Sequence, residues 1–274
     1  MSLDAAPLDA YLGVSSLPEV ELKRIFGRDD SLTIFDVGAC EGEESIRYAR
    51  AFPRARIYAF EPLPANLPLI NENLRRYAVP NVELVPTAVS DSIGEATFHV
   101  SSGRPRELYR GEIWNYGNKS SSLLPPKDKI PIYGWIEFSE QTKVPCLTLD
   151  SFCRERGISE IHFLHLDVQG AERLVLAGAE ATLPQIRIIW LEVANSAIYL
   201  GQTLRQEMEM HLVASGFILA HYEDHGTEGD ALFVNRRFWS GRIYIARILL
   251  HRLVRVIRGL LGNAKRKILP KPQT

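Results

Sequence analysis

Apolar residues in this chain fall in short runs whose period switches between that of a strand and that of a helix. "SLTIFDVGA" is a β-type run ending in small residues, and "ESIRYARAF" then places Ile46, Ala49 and Phe52 on one side of a helix. "ARIYAFEP" predicts a second strand, and "PANLPLINENLRRYA" a helix along Leu67, Ile70 and Leu74, before a third strand in "NVELVPTAVS". Further on, Thr148 is placed to cap a helix in "TLDSFCRERG", and "IHFLHLDVQGAE" is a buried strand entering the helix "AERLVLAGAEATL". "IRIIWLEV" is the next strand. Thr203 with Gln206 forms the pattern of a capping box for "LRQEMEMHLVAS", and Gly216 is placed to end that helix. "FILAHYE" and "DALFVNR" flank "DHGTEG" as a closing hairpin. Strands alternating with helices predict an α/β fold, a doubly wound, mainly parallel sheet with crossover helices.

The rhythm breaks from Ser101 to Lys143, a stretch with Tyr109, Trp114, Tyr116 and Trp135 among glycines, prolines and serines. A loop of that length is a functional lid or a linker, and the aromatics favour a substrate lid over 101–143. Residues 1–30 are expected to form a helical extension, 31–235 the catalytic domain and 236–274 a separate tail. Of the residues, 46% are hydrophobic and 24% charged, which excludes a disordered or collagen-like chain. Cys40, Cys146 and Cys153 are an odd number without CxxC spacing, so neither a disulfide framework nor a zinc site is expected. "MSLDAAPLDAYLGVSS" lacks the basic start and apolar core of a signal peptide, and no run of about 18 apolar residues exists to span a membrane. The expected location is cytoplasmic.

The net charge of −1 conceals a split. Residues 236–274 hold eleven Lys or Arg and no acid, leaving residues 1–235 at −12. Between Ile243 and Leu261 an apolar stripe through Leu249, Leu253, Val256 and Leu260 opposes Arg247, Arg255 and Arg258, and "KRKILPKP" follows. Residues 243–267 suit an anionic membrane surface at the inner face, or a helix packed on the domain or a second subunit. Nucleic acid is not expected, because aromatic interleaving is missing.

Candidate chemistry starts at "FDVGACEGEES". Asp36, Gly38 and Gly42 fall at the first strand's end, where an open α/β sheet takes its ligands. The turn lacks the G-x-G-x-x-G of a dinucleotide site, and Glu41, Glu43 and Glu44 would repel a pyrophosphate. A cationic or zwitterionic cofactor suits it better. Glu61, ending the second strand, is placed to accept the ribose hydroxyls of a nucleoside.

With "AFEPLPANLPLINENL", "VPTAVSDSIGEATF", "SSSLL" and "VPCLTLDSFCRERGISEIHFLHLDVQGAERLVLAGAEATL" leading to "IIWLEV", the chain resembles the FkbM-type S-adenosylmethionine-dependent methyltransferases over about residues 31 to 235. The resemblance implies a class I, Rossmann-like sheet of seven strands with the last one antiparallel, and S-adenosyl-L-methionine as cofactor. It implies that Asp36, Gly38, Ala39, Cys40 and Gly42 cradle the methionine part, that Glu61 with Pro62 holds the ribose, and that Ala88 and Val89 line the adenine. Asn66 matches the family's "FEP-x-P-x-N" pattern. Cys40 stands where the family often has asparagine, and His165 where it usually has lysine.

Methyl transfer needs positioning of an acceptor and a place for its proton, and no protein nucleophile. Strand alternation puts Phe163, His165 and Asp167 on one face, with Asp167 at the carboxyl end. Asp167 is the first candidate for a catalytic role, against its alternative as a helix cap; His165 reads as a core histidine or a second candidate. Glu192 faces the same rim and, with Asn195, makes an oxygen-rich group in which no spacing demands a metal. Glu172 is expected at its helix N-terminus, and His221 and His225 on the hairpin. The expected activity is O-methylation of a hydroxyl on a sugar, glycan or related natural product. A cofactor-binding protein without catalysis, or an adaptor led by the basic tail, stays open, as do the acceptor and the oligomeric state.

Overall fold

Strands β1 (Thr33–Val37) and β2 (Arg56–Phe60) are buried at every position after the first, and β7 (Ile161–Leu166) at all but one. Strands covered on both faces belong to the middle of a parallel sheet flanked by helices. The computed structural model describes residues 6–103, 118–127 and 135–238. Its main sheet has seven strands in the order β3-β2-β1-β7-β8-β10-β9, completed by β3 (Val82–Val85), β8 (Ile186–Ala194), β9 (Phe217–Asp224) and β10 (Glu228–Asn235). Strand β10 runs antiparallel to both neighbours, whereas β1 pairs in parallel with β2 and with β7. This is the expected class I methyltransferase sheet.

The helices are α1 (Ala6–Leu12), α2 (Leu17–Ile25), α3 (Glu43–Ala51), α4 (Leu67–Arg76), α5 (Leu149–Arg156), α6 (Glu172–Ala177) and α7 (Arg205–Ala214). Both N-terminal helices pack on α3. Buried Arg47 of α3 ties them down: its guanidinium donates to the carbonyls of Tyr11 and Val14, and its Nε to Glu44 at 2.9 Å. In the core, Phe152 of α5 meets Phe60 at 4.9 Å and Tyr58 at 5.1 Å, each edge-on, the geometry aromatic quadrupoles prefer. Thr148 caps α5 as expected, in a reciprocal box with Ser151.

Four expectations are corrected. "NVELVPTAVS" is not one strand: after Val85 comes Pro86, which cannot donate to a ladder, and the chain leaves the main sheet to form β4 (Ala88–Val89). The stretch 101–143 is not all loop. Its end belongs to β6 (Glu137–Leu147), which lies between β4 and β5 (Gly94–Ser102) in a second, three-stranded sheet. Strand β6 is mostly exposed until Val144, so no apolar alternation betrays it. The Thr203–Gln206 capping box does not form, because the cap falls on Leu204 and Thr203 stands one residue before the cap. Gly216 does follow the helix, at φ +94°. The helix expected to run from Ala171 to Leu183 stops at Ala177.

Residues Met1–Asn235 and Arg236–Thr274 form two separate units. Tyr109, Trp114 and Tyr116 of the expected lid, and the stripe at 243–267, lie outside the described residues. Among the described residues no helix is long and apolar enough to cross a membrane.

Just past the end of α6 two backbone segments cross closely. A Cβ on Gly178 would lie 2.0 Å from the Ser90 carbonyl oxygen, just past β4, so the helix end and the small sheet meet where no side chain fits. Gly178→Ala is therefore expected to destabilise the protein by about 2–3 kcal/mol, read as a lowered urea midpoint at unchanged slope. An unchanged midpoint would show that the crossing yields at little cost.

Candidate functional site

The order of strands reverses at β1, whose chain successor β2 lies on one side while β7 lies on the other. Such a switch point opens a crevice at the carboxyl ends of the strands. Here it is bounded by the turn after Val37 and the turn after Leu166, which meet closely: the Asp167 amide donates to the Val37 carbonyl at 3.0 Å. Gly38 has φ +92°, and a Cβ there would stand 1.8 Å from the Asp167 carbonyl oxygen, so the crossing admits glycine alone. The amides of Gly38 and Ala39 both donate to the Phe60 carbonyl at 3.0 Å, fixing the turn against the end of β2. Cys40 (φ 51°) and Gln169 (φ 54°) are non-glycine residues in the left-handed region, one on each side of the crevice. Strained backbone of this kind gathers at functional sites.

The crevice holds two cavities with a common wall. The first runs from Gly38 and Asp167 past Glu61, Pro62 and Asn66 to an apolar end made by Ala88, Val89, Phe98 and Leu123. The second lies under Tyr11 of α1 and is lined by Asp36, Ala39, Glu43, Glu44 and His165. Gly38, Cys40, Lys119 and Asp167 line both.

Glu61 is buried, and burial pushes its carboxyl up to about 7 against the pull of its backbone hydrogen bonds. One oxygen accepts from the Cys40 amide at 3.0 Å, the other from the Leu63 amide at 2.8 Å. A carboxylate offers about four lone-pair sites, and with the Asn66 side chain as its third partner Glu61 keeps one for a further donor. Asp36, also buried, is pushed up to about 6 by burial, with His165 and a 2.5 Å hydrogen bond from Ser45 acting in the opposite sense. Asn66 accepts from the Asn118 amide and lies 3.9 Å from the Cys40 sulfur. Burial pushes the Cys40 thiol well up. Gly42 begins α3 with no side-chain cap.

On the opposite wall, Asp167 is exposed to the shared space and does not cap α6, whose N-cap residue is Ala171. Gln169 donates to Asp167 at 2.7 Å and to Glu192 at 3.3 Å, so the two carboxylates are joined through one amide. Burial first and the Asp167 charge second push the Glu192 carboxyl well above the usual range. Glu172 folds back to accept from the amides of Val168 and Gly170, both at 3.2 Å, and burial raises it to about 7. His165 is held through Nδ1 by the Tyr48 hydroxyl at 2.8 Å. Asn195 is a correction: its amide turns to the hairpin, donating to Asp224 and the Gly226 carbonyl, and joins no oxygen cluster with Asp167. His221 stacks on Trp190, and His225 meets Asp230 at 3.1 Å. Among the described residues no group of three or more His, Cys, Asp or Glu is arranged to hold a metal.

Sequence reading passed over Asn118, Lys119, Gln169 and Tyr199. The segment 118–122 crosses the crevice and is clamped there: Ser122 donates to the Gln169 carbonyl at 2.8 Å, and Tyr199 to the Ser120 carbonyl at 2.7 Å. The "SSSLL" run was the only local sign of it.

The residues present fit a nucleoside carrying a zwitterionic chain. Glu61 keeps acceptor capacity for a ribose hydroxyl, the apolar end suits a flat base, and Asn118 Oδ1 is a buried acceptor on the first cavity's wall with no hydrogen-bond partner among the described residues. The acidic second cavity suits cationic groups.

Residues 36–219 match the methyltransferase FkbM domain. The 2-O-methyltransferase NoeI of Sinorhizobium fredii (strain NBRC 101917 / NGR234) is 31% identical over 204 residues, covering 74% of this chain and 79% of that one. The 31-O-demethyl-FK506 methyltransferase FkbM of Streptomyces tacrolimicus is 30% identical over 184 residues, 62% of this chain and 68% of its own. Among solved structures, TrmK of M. capricolum in complex with S-adenosyl-homocysteine aligns over 81% of this chain and 69% of that chain, at 9% identity and a TM-score of 0.44. The family match and the relative that shares most of both chains' length carry the assignment: this protein belongs to the FkbM family and is an S-adenosylmethionine-dependent methyltransferase.

Proposed function

We propose that the protein is an O-methyltransferase acting on a hydroxyl group of a sugar, glycan or related natural product. The observation that carries this reading is Asp167, an exposed carboxylate at the end of β7 that opens on both cavities. Two relatives bear names of O-methylating enzymes, and a hydroxyl acceptor is the kind that needs a carboxylate at that point.

Bound S-adenosylmethionine supplies an electrophilic methyl group. In this reading Glu61 accepts from a ribose hydroxyl, Pro62 and Asn66 border the sugar, and Ala88 and Val89 take the base. Asp36, Gly38, Ala39, Cys40 and Gly42 shape the turn that receives the amino-acid end. Asp167 takes the acceptor's proton as the hydroxyl oxygen attacks. Gln169 fixes the Asp167 carboxylate by its 2.7 Å hydrogen bond. Glu192, pushed up by burial and by the Asp167 charge, backs Asp167 through Gln169. His165, tied to Tyr48, lines the second cavity and orients what enters it.

Three outcomes test this reading. Calorimetric titration with S-adenosylhomocysteine is expected to show micromolar binding, which Glu61→Ala weakens by about 100-fold because the ribose contact goes with the carboxylate. Failure of the folded wild type to bind would sink the reading. In a screen of polyhydroxylated acceptors with labelled cofactor, Asp167→Asn is expected to lower turnover by about 10²–10⁴-fold while S-adenosylhomocysteine still binds. Full turnover in that variant would remove Asp167 from the chemistry.

The third outcome concerns pH. Asp36, Glu61 and Glu172 hold their protons more tightly folded than unfolded, at about 6, 7 and 7. The stability they contribute is complete below the unfolded carboxylate range and is lost as pH rises through those values. The thermal midpoint of the ligand-free protein is expected to fall between pH 5 and pH 8, and the bound cofactor to offset much of that fall by favouring ionised Glu61. A midpoint that rises across the window would contradict the assignment of these groups.

A further inference from the structure

Lys119 carries the strongest unassigned signal in the molecule. It lines both cavities, only 20% of its side chain is exposed, and its ammonium pairs with Glu43 and lies 3.6 Å from the Cys40 sulfur. Among the described residues it is the single Lys or Arg on either cavity wall, facing four carboxylates of the second cavity: Asp36, Glu43, Glu44 and Asp167.

Its backbone is fixed independently of any ligand. Ser121 donates to the Asn118 carbonyl at 2.8 Å and accepts from the Ser101 amide at 3.0 Å, while Ser122 exchanges backbone hydrogen bonds with His99 at 2.8 and 3.0 Å. An ammonium on so stiff a segment is preorganised.

From this position we infer that Lys119 binds the carboxylate of the cofactor's amino-acid end, and so makes the site select an adenosyl ligand with an intact amino acid. The inference rests on the cofactor orientation proposed above. With its nucleoside at Glu61, the cofactor runs past Gly38 into the acidic cavity. Its sulfonium and ammonium suit that wall; its carboxylate does not. A carboxylate brought among four others without a cation would be repelled and left desolvated. Lys119 sits at the boundary where that group arrives, and its charge, shared between Glu43 and a second carboxylate, would offset the surrounding acids.

The test compares S-adenosylhomocysteine with its carboxamide, in which a neutral amide replaces the carboxylate, by calorimetry on wild type and Lys119→Met. The wild type is expected to bind the carboxamide about 30-fold more weakly. In Lys119→Met the two ligands are expected to bind within about twofold of each other, and in Lys119→Arg the discrimination returns. An undiminished preference for the carboxylate in Lys119→Met overturns the inference while leaving the cofactor reading intact. A wild type that binds neither ligand overturns both. Should Lys119→Met fail to fold, Lys119→Gln carries the same comparison.

Discussion

Everything at this site depends on two strand ends being allowed to touch. The Asp167 carbonyl oxygen occupies the space that a Cβ of residue 38 would need, at 1.8 Å, and the Asp167 amide donates to Val37. A larger residue at 38 would drive β1 and β7 apart where they pair in register, Asp36 opposite His165 and Val37 opposite Leu166. The shared wall of the two cavities would open with them. Because Gly38 and Asp167 both belong to that wall, the contact that closes the sheet also sets the distance between the turn that receives the cofactor and the carboxylate that faces the acceptor.

Around that contact the protein concentrates acid at a cost. Asp36, Glu61, Glu172 and Glu192 are all raised, and in each burial is the leading cause. Carboxylates withdrawn from water weaken the empty fold, so they are retained for what they can hold. Backbone amides reduce the cost for Glu61 and Glu172, and a serine hydroxyl does so for Asp36. Glu192 has only the Gln169 amide among the hydrogen bonds described, and burial with the Asp167 charge raises it well above the usual range. The gradient from amide-bound to nearly bare carboxyls separates groups suited to binding from one suited to backing a base.

The small sheet gives the first cavity its apolar end and its cover. Val89 of β4 and Phe98 of β5 line it, and the segment 118–122 is pinned to β5 through His99 and to the β7 turn through Gln169. A stretch that reads as an irregular insertion thus forms a wall of the site.

The sequence alone determined the order of the main elements and the place of the site. Strand and helix periods, the small residues after Val37 and the acid after Phe60 are local signals, since each element's period and each strand end are written in consecutive residues. Asp36, Gly38, Glu61 and Asp167 were legible for that reason, Ala88 and Val89 only through the family resemblance, and all line the crevice. Tertiary structure decided what depends on partners distant in the chain. Strand β6 exists because β5 pairs with it, residue 178 past the end of α6 is glycine because Ser90 lies against it, and Asn195 leaves the rim because the hairpin claims its amide. Lys119 is 76 residues from Glu43, its partner, and no period or spacing in the chain encodes a contact made only when the crevice is closed.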